Sequence, residues 1–335
     1  MKKRFALAVS LVALVSGFTI PGSALAADAP AKMAWYVPAP HPYFDAVKSG
    51  VDAFEKEFKI PVKQQFGPDW NMDSQNTGML ALAAGGYNYF ATYPADASAA
   101  NGLYDEIVKR KGVVVNFGGS TFEPTPAVAA VMTDVKGAAG VAAKLVFEKV
   151  KGKGVVVNVL EVLEDPNTKL RKEGIDEVAA KYPGIKIVEV AGIKSEQEAV
   201  EKIEGAIAGA GGYVDGIITT GFVPTMALSK ILADYETKSK KHIAACGIDD
   251  DPQILDAIAK GYLDATISQN PFGHGYLSMA ILKMISEGYK VKPGVYKIDA
   301  GTVVVTKANV GTYKAEIGEV TKKIKSELAT KYLTK

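Results

Sequence analysis

Trp35-Tyr36-Val37-Pro38-Ala39-Pro40-His41-Pro42-Tyr43-Phe44 starts as an apolar strand and finishes as the first turn of a helix. Pro38 and Pro40 cannot continue a hydrogen-bonded ladder. Pro42 suits a helix's first position, where the N–H it lacks would have had no partner. The loop between holds His41, with Tyr43 and Phe44 just inside the helix. In an open parallel sheet such a loop lies beyond the carboxyl end of its strand, where ligands bind. The stretch predicts a βα unit and one jaw of a ligand cleft.

The same rhythm runs on in both directions along the chain. Phe44, Val47, Val51, Phe54 and Phe58 recur at helical spacing after the strand over 33–37. Strands are predicted over 62–66, 87–93, 113–117 and 127–132, with helices over 73–84 and 97–109 between them. A helix over 137–150 follows, and then strands at 155–162, 185–190, 214–219, 242–248 and 265–269. Helices near 168–181, 196–208, 225–235 and 252–260 separate those strands, and a helix over 275–286 precedes a last strand at 302–306. Strands alternating with amphipathic helices predict an α/β chain of parallel sheets with helices on both faces. At 335 residues two such units are expected, with a cleft between them. Ile317, Val320, Ile324 and Leu328 mark a final helix that packs back on a lobe, with a partner-binding helix as the alternative.

The first 26 residues read as a secretory leader. Lys2, Lys3 and Arg4 precede the apolar run Phe5–Ile20, and Ala24-Leu25-Ala26 supplies small residues for cleavage near Ala26. The run is shorter than the ~20 residues of a spanning helix. Export to the periplasm is the expected location. Setting aside Lys2, Lys3 and Arg4 leaves 36 basic residues against 37 acidic ones, and no basic stripe points to nucleic acid. Cys246 is the single cysteine, so no internal disulfide forms; its apolar neighbours Ile243, Ala244 and Ala245 place it in a buried strand.

Motifs of covalent chemistry are missing. Lys151-Gly152-Lys153-Gly154 lacks the spacing of a phosphate loop and precedes a strand instead of following one. His41, His242 and His274 are scattered without zinc spacing, and no Gly-x-Ser-x-Gly elbow occurs. No cofactor or metal is expected. Asp249-Asp250-Asp251 ahead of Pro252 reads as a helix start whose acids cap exposed amides, with one of the three free to face a cleft.

Taken together, the leader, Pro42-Tyr43-Phe44 after the first strand, Tyr93-Pro94-Ala95-Asp96 after the third, Gly247-Ile248-Asp249 and Ala265-Thr266-Ile267-Ser268-Gln269 resemble the ribose-type periplasmic sugar-binding proteins, the substrate-binding subunits of ABC importers. The resemblance covers nearly the whole chain after the leader. It implies a type I periplasmic binding protein: two Rossmann-like lobes joined by three crossings and closing about a hinge. Residues 27–133 with 270–298 would form the first lobe, and 134–269 with 299–335 the second. Related repressors carry an N-terminal DNA-reading helix pair, but here the leader takes that place.

Position by position, the resemblance puts His41 where relatives hold a hydroxyl-binding asparagine, and Tyr43 and Phe44 on two stacking aromatics. Tyr93 replaces another amide ligand. Arg171, Asp249 and Gln269 match an arginine, an aspartate and a glutamine of the second lobe and its hinge. Each has a plainer alternative: Phe44 in the core, Arg171 on a solvated helix face, Asp249 as a cap, Gln269 as a hinge strut. Trp35 and Phe222 read as packing residues, and Trp70 as a lid or a surface anchor.

Departures from the family pattern are equally specific. Gly118 and Gly119 stand where relatives carry an Asp-Arg pair, Gly221 where they carry an asparagine, and Ser195 near a stacking phenylalanine. Without the bidentate arginine the first-lobe site is expected to be roomier and less polar. A plain ribopyranose is therefore disfavoured, leaving another pentose or hexose, a polyol, a furanose of the autoinducer type or a modified solute. The expected partners are that solute and an ABC permease, with a chemoreceptor as the sensing alternative. A hydrolase using Asp249 and His41 is the enzymatic alternative, without a nucleophile motif to support it.

Overall fold

In the computed structural model, which describes residues 31–335 apart from Glu164, the alternation resolves into two six-stranded sheets. The leader and its cleavage position lie outside the described residues. The first sheet is built as β1 (Met33–Val37), α1 (Pro42–Phe58), β2 (Val62–Phe66), α2 (Met72–Ala84), β3 (Tyr89–Thr92), α3 (Ala100–Lys109), β4 (Val113–Phe117) and β5 (Ala129–Met132). The chain then leaves through Thr133 into α4 (Val135–Lys149), β6 (Lys153–Val159), α5 (Pro166–Ala179), β7 (Gly184–Val190), α6 (Glu196–Gly209), β8 (Gly216–Thr219), α7 (Phe222–Ser239), β9 (Ala244–Ile248), α8 (Pro252–Lys260) and β10 (Ala265–Ser268). It closes with α9 (Pro271–Ser286), β11 (Lys290–Val291), β12 (Lys297–Asp299), β13 (Val303–Thr306), α10 (Tyr313–Glu327), a π-helical turn at Leu328–Tyr332, and β14 (Leu333–Thr334).

The strand orders are β12-β5-β4-β3-β1-β2 and β13-β10-β9-β8-β6-β7. Within these two sheets every pair is parallel except β13 with β10. Parallel sheets are covered on both faces, which is why β1, β8 and β9 are buried along their whole length. Helix starts follow the chain chemistry. Asp134, Asp165, Ser195, Asp251 and Asn270 each accept a backbone N–H at the helix they open. Ser195, aligned near a stacking position, is thus a cap. The helices α1 and α9 touch at backbone distance: a Cβ on Gly50 would lie 2.0 Å from the Phe272 carbonyl oxygen, and one on Gly275 2.1 Å from that of Val47.

The tail departs from expectation. Tyr313 and Ile317, early in α10, belong to the second-sheet core. Ile324, Leu328 and Leu333 belong to the first-sheet core, Lys325 pairs with Glu57 of α1, and β14 pairs with β11. The segment 299–335 is therefore not wholly part of the second lobe, because one apolar stripe of α10 is shared between two cores. The chain passes between the sheets four times instead of three.

Candidate functional site

The carboxyl ends of β1, β2, β3 and β4 gather an aromatic wall. His41 is the N-cap of α1, where its Nδ1 accepts the Tyr43 N–H at 3.1 Å, and its ring is exposed. Phe44 is fully buried, and its ring stacks on Trp70 with centroids 5.5 Å apart. Tyr93 meets both rings edge-on at 5.3 Å. Phe44 thus backs the wall, and Trp70, 47% exposed and 6.4 Å from His41, fronts it. Trp70 is held by its indole N–H donating to the Ala95 carbonyl at 3.2 Å. The same loop is clamped by buried Gln75, which donates to the Tyr93 carbonyl and accepts from the Ala95 N–H, both at 2.8 Å.

Gly118 and Gly119 do not leave the empty space expected of them. Gly118 has φ of +67°, and a Cβ there would come within 2.1 Å of the Tyr43 hydroxyl. A Cβ on Gly119 would meet the Tyr93 ring at 3.5 Å. The Tyr43 side chain fills the space at Gly118, whereas at Gly119 the Tyr93 ring stands at ordinary contact distance.

The second wall is ionisable. Asp249 follows β9 with φ of +70°, a left-handed backbone that a non-glycine residue adopts at a cost of about 1–3 kcal/mol. Its N–H donates to the Ile267 carbonyl at 3.0 Å, and its carbonyl accepts from the Thr266 hydroxyl at 2.8 Å. Those bonds hold the turn and aim the side chain. Asp249 does not cap α8, since Asp251 does, and Asp250 accepts from the Tyr313 hydroxyl. Burial raises the Asp249 pKa, the Gln269 hydrogen bond and Arg171 lower it, and Asp250 raises it again.

Arg171, on α5, is not a solvated surface group: its Nε is buried with no hydrogen-bond partner. Glu161, beyond β6, occupies the space beside Gly221, where a Cβ would fall 2.1 Å from its carboxyl carbon. Glu161 accepts the Val223 N–H at 3.1 Å. Burial lifts its pKa, Val223 and Arg171 oppose this, and Asp249 and Asp165 add to it. Phe222, expected to pack, is 46% exposed beside this group. The Tyr93 pKa is raised by burial and, next, by the charge of Asp165 at the start of α5.

Gln269 joins the walls, donating to Asp249 Oδ1 at 2.8 Å and accepting from the Thr133 hydroxyl at 3.0 Å. Thr133 is 3.3 Å from His274 Nε2, and His274 Nδ1 is 2.8 Å from the Tyr43 hydroxyl. Sequence reasoning missed Glu161, Asp165, Gln75, Thr133 and His274. Glu161 and Asp165 had a readable signal, being carboxylates just past the carboxyl end of an apolar strand.

Residues 36–290 match the family described as periplasmic binding protein domain. The chain belongs to that family. A curated relative of this periplasmic binding protein, the xylitol-binding protein of Mycolicibacterium smegmatis, is 26% identical over 271 residues, 78% of this chain and 73% of the relative. Its fold is that of solved relatives. One is an ABC transporter solute-binding protein of Burkholderia graminis in complex with D-arabinose (TM-score 0.68, 22% identity, 86% of this chain and 99% of that one). Another is a periplasmic ribose ABC transporter protein of Conexibacter woesei (TM-score 0.75, 16% identity, 86% and 96%). The family is one of substrate-binding proteins. Among the described residues no helix is long and apolar enough to cross a membrane, and no cluster of three His, Cys, Asp or Glu is placed to hold a metal ion. Cys246 is buried, and burial pushes its thiol pKa up, away from reactivity. A cavity of about 500 Å³ opens on the second lobe beside His242, Asp264 and Cys246, where Lys149, His242 and the Ala245 N–H already satisfy Asp264.

Proposed function

We propose that this periplasmic binding protein captures a small polyhydroxylated solute, a sugar or a polyol, between the two lobes and delivers it to the membrane permease of an ABC importer. The observation that carries the reading is an aromatic wall, Trp70 and Tyr93, and an ionisable wall, Glu161, Asp165, Arg171 and Asp249, tied together by the Thr133–Gln269–Asp249 hydrogen bonds. Aromatic faces suit the C–H surface of a sugar, and charged groups suit its hydroxyls. A buried hydroxyl left unpaired costs about 1–3 kcal/mol, so a polyol selects such a mixture. Arg171 Nε, buried and unpaired, is a donor awaiting an acceptor. Relatives described as binding xylitol, D-arabinose and myo-inositol support the solute class.

His41, Tyr43, Phe44, Tyr93, Gly118, Gly119, Arg171, Gly221, Asp249 and Gln269 remain the proposed site, with Phe44 and the glycines shaping it and Trp70 added to its face. In this reading the protein is exported, does no covalent chemistry, and closes around its solute by rotation about the crossings. Thermal shift against xylitol, D-xylose, D-arabinose, D-ribose and myo-inositol tests it. At least one should raise the melting temperature of the wild type and not of Asp249→Ala, because a ligand of the native state alone stabilises by mass action. A flat response across the panel overturns the solute class.

A further inference from the structure

His274 is 1% exposed in the first turn of α9, and burial pushes its pKa down to about 3, so its imidazole is neutral. A neutral imidazole has one donor and one acceptor, and its neighbours decide which nitrogen is which. The decision can be traced from Asp249. An ionised carboxylate only accepts, so Gln269 must present its Nε2–H to Asp249 Oδ1 and its Oε1 to Thr133. Thr133 has one proton, and Gln269 Oε1 takes it. Facing His274 Nε2, the Thr133 oxygen can then only accept. The histidine proton is fixed on Nε2, Nδ1 is the acceptor, and the Tyr43 hydroxyl donates to it.

We propose that His274 and Thr133 are positioning residues. With Gln269 they form a one-directional hydrogen-bond relay that runs through two of the crossings, from Tyr43 on the first lobe to Asp249 on the second. This rests on the solute-binding reading only for its consequence, not for its geometry. Every donor in the series points towards Asp249, whose carboxylate is the terminus. Asp249 Oδ2 is left for a solute hydroxyl, which then leans on the same charge that orders the hinge. A solute docking there is coupled through the relay to the posture of Tyr43.

The test is imidazole nitrogen NMR on the ligand-free full-length protein, tractable with only three histidines, together with Thr133→Val and Thr133→Ser. The wild type should show His274 as an Nε2–H tautomer at neutral pH. Thr133→Val should release the tautomer into a mixture, and Thr133→Ser should restore it. For whichever panel sugar binds the wild type, Thr133→Val should weaken affinity roughly tenfold, with Thr133→Ser near wild type, as expected for a broken buried hydrogen bond. An Nδ1–H tautomer in the wild type, or a tautomer indifferent to Thr133→Val, overturns the relay. Should Thr133→Val fail to fold, the wild-type tautomer still decides. Failure of every sugar to bind would overturn the solute class and leave the tautomer result standing.

Discussion

Asp249 carries two opposed demands, and its pKa is where they meet. Burial raises that pKa, so the folded chain holds the proton more tightly than the unfolded one. A group raised in this way gives stability that is complete below its unfolded pKa, ordinarily about 3.9, and lost as pH rises through the folded value. In the proposed site, solute capture uses the ionised form. As pH falls through the raised pKa, solute affinity should drop while this residue's share of fold stability grows. Calorimetric affinity and melting temperature measured together over pH check this. Asp249→Asn should remove both dependences, and parallel slopes in the wild type would contradict the assignment. Glu161, Arg171 and Asp250 face the same carboxyl and will shift the window without changing its sign. At this scale the sequence revealed residue types at strand ends but not their partners. Asp249 and Arg171 stood out by position and resemblance, whereas His274 read only as one of three scattered histidines, because the relay spans residues far apart in the chain.

Among the elements, α1 and α9 show how closely the site's scaffold is fitted. The loop jaw around His41 rides on α1, and the hinge relay rides on α9; Gly50 and Gly275 let the two helices approach at backbone contact. Gly275→Ala should therefore destabilise the protein by about 1–3 kcal/mol, the usual penalty for overpacking. It should also weaken solute binding, since His274 is its neighbour in the helix. Denaturant unfolding and a sugar titration would measure both, and an unchanged unfolding midpoint would refute the close contact. The alternation of strands and helices was legible because long elements carry a period and a cap. The sequence reading did not recover β11, β12 and β14. At two or three residues each, they are too short to show alternation, and only their partners Thr334, Ala130 and Lys290 make them strands. Trp70 could be read either as a lid or as an anchor until Phe44 and Ala95 were seen to hold it.

For the molecule as a whole, solute binding should compact the particle. Small-angle scattering should give a smaller radius of gyration with a binding sugar than without, and no change for Asp249→Ala. Equal radii for the wild type in both conditions would argue against lobe rotation. The two-lobed plan was visible in the doubled rhythm of the sequence, but the path of the tail was not. The stripe Ile317, Val320, Ile324 and Leu328 looks like one helix face, and nothing in the spacing says that two cores divide it. That division has a mechanical meaning. With four passages, β1 at the start of the described chain and β14 at its end both attach to the first lobe. The second lobe is made of two loops of chain, each leaving from and returning to the first. A pair of dyes fixed near residues 32 and 335 would travel together and stay silent as the cleft shuts. A force applied at those two points would load the first lobe while leaving the second slack, so a reporter of solute capture must place one label inside residues 134–268 or 303–317.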